Sequence, residues 1–284
     1  MSFSLENNHY IYATLKTLLF KETGVLTWSE GVITISLMDY KSIQGLIYLK
    51  REQFREFRYE PPRDAQGRKP PEQCIKLNVA HFTECLGMLG AAPHSRVSVE
   101  VRLASIADVL TLSLEHEGYY ITNRLQTMET EEEDLVNLEF DTDSIQSTII
   151  MMGEDFRDAF AELECSGEFI DMVVGEPNAK SGLPGLELQA SSHLGNCSIR
   201  FDQNPEVILA YAISNPHRHR YRISLLKRCY KVMQLAKKVK LETDEFGCLR
   251  LQFMVETEFD REIFVEFMVL AHHTPADELE TFVR

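Results

Sequence analysis

Four segments with helical periodicity, and the spacing between them, constrain the fold of this chain more than any other feature. Residues 10–20 set Ile11, Leu15, Leu18 and Leu19 on one face, and residues 79–89 do the same with Val79, Phe82, Leu86 and Leu89. Residues 155–164 use Phe156, Ala159, Phe160 and Leu163, and residues 225–237 use Leu225, Cys229, Val232 and Ala236. The first and third segments begin about 145 residues apart, as do the second and fourth, roughly half of the 284-residue length. Short β-type segments fill both gaps: 24–29, 32–38, 43–49, 97–103, 109–115 and 119–125 in the first half, then 170–174, 186–190, 196–201, 239–243, 249–256 and 263–270 in the second. A duplicated helix–strands–helix–strands unit is the simplest account, with one-sided helices lying on antiparallel sheets in an α+β fold. The expected division is 1–126 for the first domain, 127–143 for a connector and 144–284 for the second domain. The connector carries eight acids and no base, which reads as an exposed linker. Residues 61–71, rich in Pro, Gly and charge, read as an insertion loop.

Composition excludes several function classes. With 29 basic and 44 acidic residues the net charge is −15, which argues against coating nucleic acid or anionic lipid with the whole surface. No run approaches the ~18 apolar residues of a membrane span, and the N-terminus reads as lacking a signal peptide. The six cysteines form no C-x-x-C pair, so they read as buried small hydrophobes rather than zinc ligands or a disulfide framework. There is no Walker loop, G-x-G-x-x-G, H-E-x-x-H or G-x-S-x-G, so no cofactor, metal or catalytic residue is expected. Ser224 reads as a helix cap, His217-Arg218-His219-Arg220 as solvated or phosphate-touching, and His272-His273 as tail.

One segment breaks the acidic pattern. Residues 207–241 hold no acid and nine bases: Arg218, Arg220, Arg222, Lys227, Arg228, Lys231, Lys237, Lys238 and Lys240. On a continuous helix at about 100° per residue, Lys227, Lys231 and Lys238 fall within about 40° of one another, opposite the apolar stripe. A cationic face without i,i+4 acidic partners suits sequence-independent phosphate contact.

The order of several short motifs resembles the sliding-clamp family. Ala190-Ser191-x-x-Leu194-Gly195-Asn196-x-x-Ile199-Arg200 is similar to the A-S-x-x-L-G-N-x-x-I-K segment of the replication clamp PCNA, and Met38-Asp39 to its M-D pair. Arg220-Tyr221-Arg222-Ile223-Ser224-Leu225-Leu226-Lys227 is closer to the R-Y-K-I-S-L-L-K of the Rad-one-type subunits of the nine-one-one checkpoint clamp. Phe264-Val265-Glu266-Phe267 resembles their F-V-E-Y, and Arg157-x-Ala159-Phe160-x-Glu162-Leu163 their R-E-A-F-S-E-L.

That resemblance implies a nuclear, non-enzymatic subunit of a ring of three different chains. Such a ring encircles duplex DNA and is loaded by a clamp loader ATPase. It recruits repair and checkpoint signalling proteins. It implies DNA-facing roles for Lys16, Arg157, Lys227, Arg228, Lys231 and Lys238, whereas Glu84 and Gly87 stand where the replication clamp has lysines. It implies ring closure through two strand edges, one with Tyr119, Tyr120, Ile121, Thr122 and Leu125, the other with Asn196, Cys197, Ser198, Ile199 and Arg200. A partner groove is expected near Met38, Ile43 and Phe267. The competing expectations are a homotrimeric replication-type clamp and, more distantly, a metal-dependent DNA exonuclease.

Overall fold

The computed structural model describes all residues except 6–7, 30, 60–72, 90–96, 104–108, 176–184, 194, 203, 257–261 and 273–284. The insertion loop at 61–71, together with Leu194 and His273, lies outside the described residues. The chain forms two compact units: Met1–Asp39, Gln44–Asn137 and Glu256–Val265 in the first, Tyr40–Ile43, Leu138–Val255 and Glu266–Arg284 in the second. The acidic connector is therefore not a segment of its own. Its residues up to Asn137 belong to the first unit, and those from Leu138 to the second.

The first half runs β1 (Ser2–Leu5), α1 (His9–Leu18), β2 (Thr23–Trp28), β3 (Val32–Asp39), β4 (Ile43–Lys50), β5 (Glu56–Arg58), β6 (Gln73–Asn78), α2 (Val79–Leu86), β7 (Ser98–Arg102), β8 (Leu110–His116) and β9 (Tyr119–Leu125). The second half repeats it: β10 (Ile145–Met152), α3 (Gly153–Leu163), β11 (Phe169–Val174), β12 (Leu186–Ser192), β13 (Gly195–Phe201), β14 (Ile208–Ile213), β15 (His217–Arg222), α4 (Ile223–Leu226), α5 (Tyr230–Met233), β16 (Ala236–Asp244), β17 (Leu249–Glu256) and β18 (Glu262–Val269). From His9 to Gly153 and from Val79 to Ile223 the offset is 144 residues in both cases. The strand orders match as well. The order β5-β1-β7-β8-β9 corresponds to β14-β10-β16-β17-β18, and β6-β2-β3-β4 to β15-β11-β12-β13. The Glu262–Val265 end of β18 belongs to the first unit, where it runs beside β4.

Alternation makes the sheets amphipathic. In β3, Ile33, Ile35 and Leu37 are buried, with Val32, Thr34 and Ser36 on the other face. The helices lay their apolar stripes on these faces: Ile11, Leu15 and Leu18 from α1, and Phe156, Phe160 and Leu163 from α3. Six strands are absent from the sequence expectation: β1, β5, β6, β10, β14 and β15. Several of them, such as His217-Arg218-His219-Arg220, carry polar or continuous patterns without the alternation of apolar and polar residues that marks a strand.

The largest departure concerns the fourth helix. Residues 225–237 are not one helix. The chain makes α4, a 3₁₀ turn at Lys227–Cys229 and α5, and by Ala236 it is already a strand. Cys229 and Val232 are fully buried as the stripe requires, but Ala236 pairs with Val255, and Lys238 pairs with Met152 and Met254. Seven residue pairs with β10 fix where β16 must begin, and this overrides the local period. Gly153 marks the same constraint, because a Cβ there would strike the Ala236 carbonyl. Ser224 is not a cap; the residue before α4 is Arg222, with no side-chain cap bond.

Candidate nucleic-acid interface and strand edges

The basic segment is less free than its sequence suggests. In β15 the side chains alternate, so Arg218, Arg220 and Arg222 share one face and His217, His219 and Tyr221 the other. Across the ladder from Arg220 stands Asp171 of β11, buried to 6% exposure. Arg218 donates to its Oδ2 at 2.6 Å, and Arg220 Nε to its Oδ1 at 2.6 Å. Burial opposes the charge of Asp171, but the bonds from Arg220 and Arg218 outweigh it and hold the pKa below the ordinary carboxylate value. Arg222 pairs with Glu168 at 3.0 Å, and Phe169 lies under both Arg220 and Arg222. These arginines hold the sheet together and are not loosely solvated. His272 is also anchored: its ring stacks on Phe169 at 4.7 Å and its amide donates to the Arg220 carbonyl.

Lys240 is likewise held, 2.7 Å from Glu242, which also takes Arg250 at 2.6 Å. Lys227, at the end of α4, reaches Glu164 at a loose 3.9 Å. The missing acids are therefore supplied from the residue after α3, from β11 and the residue before it, and from β16, and not from i,i+4 neighbours. Lys231 on α5 is exposed and has no ionic partner among the described residues. Arg228 is half-buried on the intervening turn. The structure thus brings Lys227, Arg228 and Lys231 together on one short helical stretch, with α3 packed against it through Phe160 and Tyr230. Arg157 on α3 is half-buried and bound to Asp158 at 2.8 Å. Lys238, also without an ionic partner among the described residues, sits on β16 and so cannot extend the helical stripe. In the first unit, Lys16 is exposed in the last turn of α1, its ammonium 5.3 Å from the Tyr12 ring centre.

Among the described residues no three His, Cys, Asp or Glu side chains converge to hold a metal ion. Burial pushes the Cys248 thiol up to about 12 and raises the Cys229 thiol further, against thiolate formation. Burial also pushes the His217 pKa down, with the Asn215 carbonyl opposing it.

Both sequence-expected edges are sheet ends. β9 closes one side of the β5-β1-β7-β8-β9 sheet and β13 one side of the β13-β12-β11-β15 sheet, and the exposure of successive residues is the same in both strands. Tyr119 and Tyr120 are 68% and 72% exposed, unusual for aromatic side chains. Leu125 is buried in the sheet core, and Arg200 is tied to Glu187 at 3.1 Å.

The expected partner groove is corrected by burial. Ile43 and Phe267 are completely buried, Phe267 edge-on to Phe253, and only Met38 is partly exposed. The connector itself is docked, not free. Met128 bridges to Lys76 on the outer strand β6, and Lys76 Nζ lies 2.8 Å from Asp134 in a 3₁₀ turn at Glu132–Leu135. Gln44 donates to Asn137 at 2.5 Å. Between this turn and the sheet lies a cleft of about 230 Å³ lined by residues including Val25, Ser36, Cys74 and Leu135, a site no sequence period reveals.

A family model described as "Repair protein Rad1/Rec1/Rad17" matches residues 1–255. The mouse "Cell cycle checkpoint protein RAD1" is 24% identical over 266 residues, covering 93% of this chain and 89% of the relative. The Drosophila melanogaster "DNA repair protein Rad1" is 24% identical over 90% of this chain and 88% of its own length. The fission yeast "DNA damage checkpoint control protein rad1" is 27% identical over 54% of this chain and 46% of its own length. The match runs through both halves of a duplicated α+β clamp fold, and the chain belongs to the Rad1/Rec1/Rad17 repair protein family.

Proposed function

We propose that this chain is a non-enzymatic subunit of a heterotrimeric ring that encircles duplex DNA in the nucleus and serves the DNA-damage checkpoint. The observation that carries the reading is the equivalence of its strand edges. By the matching strand orders, β9 occupies the place of β18, and β13 the place of β4. β18 runs beside β4, so β9 of one subunit can run beside β13 of the next in the same manner. That contact is head-to-tail, and such contacts generate rings when the rotation closes. The backbone groups left unpaired along both edges supply the bonds, and Tyr119 and Tyr120 supply apolar area.

On this reading Lys227, Arg228 and Lys231 approach phosphates, with Lys16, Arg157 and Lys238 as further cations. The fixed arginines of β15 take no part. Contact of this type is independent of base sequence and weakens with salt. The cleft under the connector, with Leu135 half-exposed in its lining, is the surface offered to repair and signalling proteins, in place of Ile43 and Phe267. A clamp loader ATPase would open and close the ring.

The test is the mass of the purified chain alone and after co-expression with two related clamp subunits. A 1:1:1 complex that retains circular DNA and releases it on linearisation is the expected result. A stable homotrimer of this chain alone would replace the reading with a replication-type clamp.

A further inference from the structure

The two edges of this chain differ from what a self-assembling ring needs. Beside β13 lies a cleft of about 460 Å³ whose lining includes Asp155, Asp158 and Glu162 of α3 and Asp202 beyond the strand end. Asp155, Glu162 and Asp202 have no cationic partner among the described residues, and Asp158 holds only Arg157. Arg200, the base on the strand itself, is already bound to Glu187. The edge is therefore an open backbone row flanked by uncompensated negative charge.

The other edge does not complement it. β9 is flanked by α2, where Asn123 reaches Met88 just beyond the helix. The exposed charged or titratable residues of α2 are His81 and Glu84, with no Lys or Arg in the helix. Glu115 stands at the rim, bonded to Tyr120, and Arg124 is the one exposed base in β9. Strand addition sets neighbouring strands about 4.8 Å apart, which brings the helix flanking the incoming edge over α3. A second copy would bring Glu84 and Glu115, against the single base Arg124, toward Asp155, Glu162 and Asp202, so that like charges are in excess. Like charges across an interface reject a wrong partner.

We infer, resting on the ring reading above, that the β13 face selects the edge strand of a different, related clamp subunit whose flanking helix carries Lys or Arg where this chain has Glu84, and that the same acids bar a second copy of this chain. Specificity then comes from charge, while the backbone ladder supplies contact that every family member can make.

The test uses the full chain, as wild type, as Asp158→Lys/Glu162→Lys, as Asp158→Asn/Glu162→Gln, and as the lysine double variant with Glu84→Lys added. Self-association is read by sedimentation velocity at low and high salt. Capture is read by titration with each of the two related subunits. Circular dichroism shows that the exposed substitutions leave the fold unchanged. Wild type is expected to stay monomeric. The lysine double variant should self-associate at low salt at least about tenfold more tightly, and adding Glu84→Lys should reverse that. Its capture of the partner that docks on β13 should fall by about tenfold or more, with the amide variant between. A lysine variant that stays monomeric and captures that partner as well as wild type does overturns the charge selection alone. Wild type that captures neither related subunit overturns the ring reading, and the partner assignment with it.

Discussion

Asp171→Asn tests which cations of the basic segment hold the fold. The carboxylate is 6% exposed and accepts three hydrogen bonds, from Arg218 at 2.6 Å and from Arg220 at 2.6 and 2.9 Å. Removing one member of a fully buried ion pair costs about 3–5 kcal/mol. Here the arginine side chains are 57% and 44% exposed, so water recovers much of their solvation. The expected loss is about 2 kcal/mol, close to one charge-assisted hydrogen bond. For a chain of this size that lowers Tm by about 4–8 °C. The pH dependence gives a second, independent reading. The folded pKa of Asp171 lies below its unfolded value, so its stabilisation is present at neutral pH and is lost as pH falls through the folded pKa. Wild type and variant should therefore differ most near neutral pH and converge as pH falls below about 4. Scanning calorimetry at neutral and acid pH measures both. A shift below about 1 °C at neutral pH, or a shift that is the same at acid pH, would refute the assignment of these arginines to the sheet.

Three further outcomes follow from the site. Lys231→Glu in the assembled ring should weaken DNA retention and reduce the slope of log K against log salt by about 0.9 for each phosphate no longer neutralised; an unchanged slope would place Lys231 away from DNA. Tyr119→Ala and Tyr120→Ala should leave the fold intact, because both rings are exposed, yet each should weaken ring assembly by about 1–2 kcal/mol of buried apolar area, measured by titration of the partner subunit; unaltered affinity would show that β9 is not an interface. Lys76→Ala removes the ion pair to Asp134, both side chains being about a quarter exposed, and should speed amide exchange at Met128 and Asp134 by about fivefold; no change would mean that the ladder bridge alone holds the connector.

The sequence by itself determined the duplication. Helical periodicity and the alternation in segments such as β3 are properties of residues close together in the chain, and their recurrence half a chain further on marks the repeat, whereas the edge role of β9 and β13 came from the resemblance. The 144-residue offset appears in the structure because each half must bury the same stripes against the same sheet faces. Polar strands such as β15 were invisible because no alternation of apolar with polar residues marks His-Arg-His-Arg as a strand until β11 lies beside it.

Only the tertiary structure decided which charges are spent. In sequence the arginines of β15 have no acid near them, but a strand partner lies about 4.8 Å away whatever its distance along the chain. Asp171 is 47 residues from Arg218, and Glu168 is 54 from Arg222. The same holds for the helix that stops. Residues 225–237 favour a continuous turn locally, but β16 gains a full ladder with β10 and β17 by starting at Ala236. That exchange strands Lys238 on a sheet and leaves Lys231 at the head of the cationic surface. Burial acts in the same way on Ile43 and Phe267, whose apolar character marks them equally for a groove or a core. Only packing, which closes over both, selects the core.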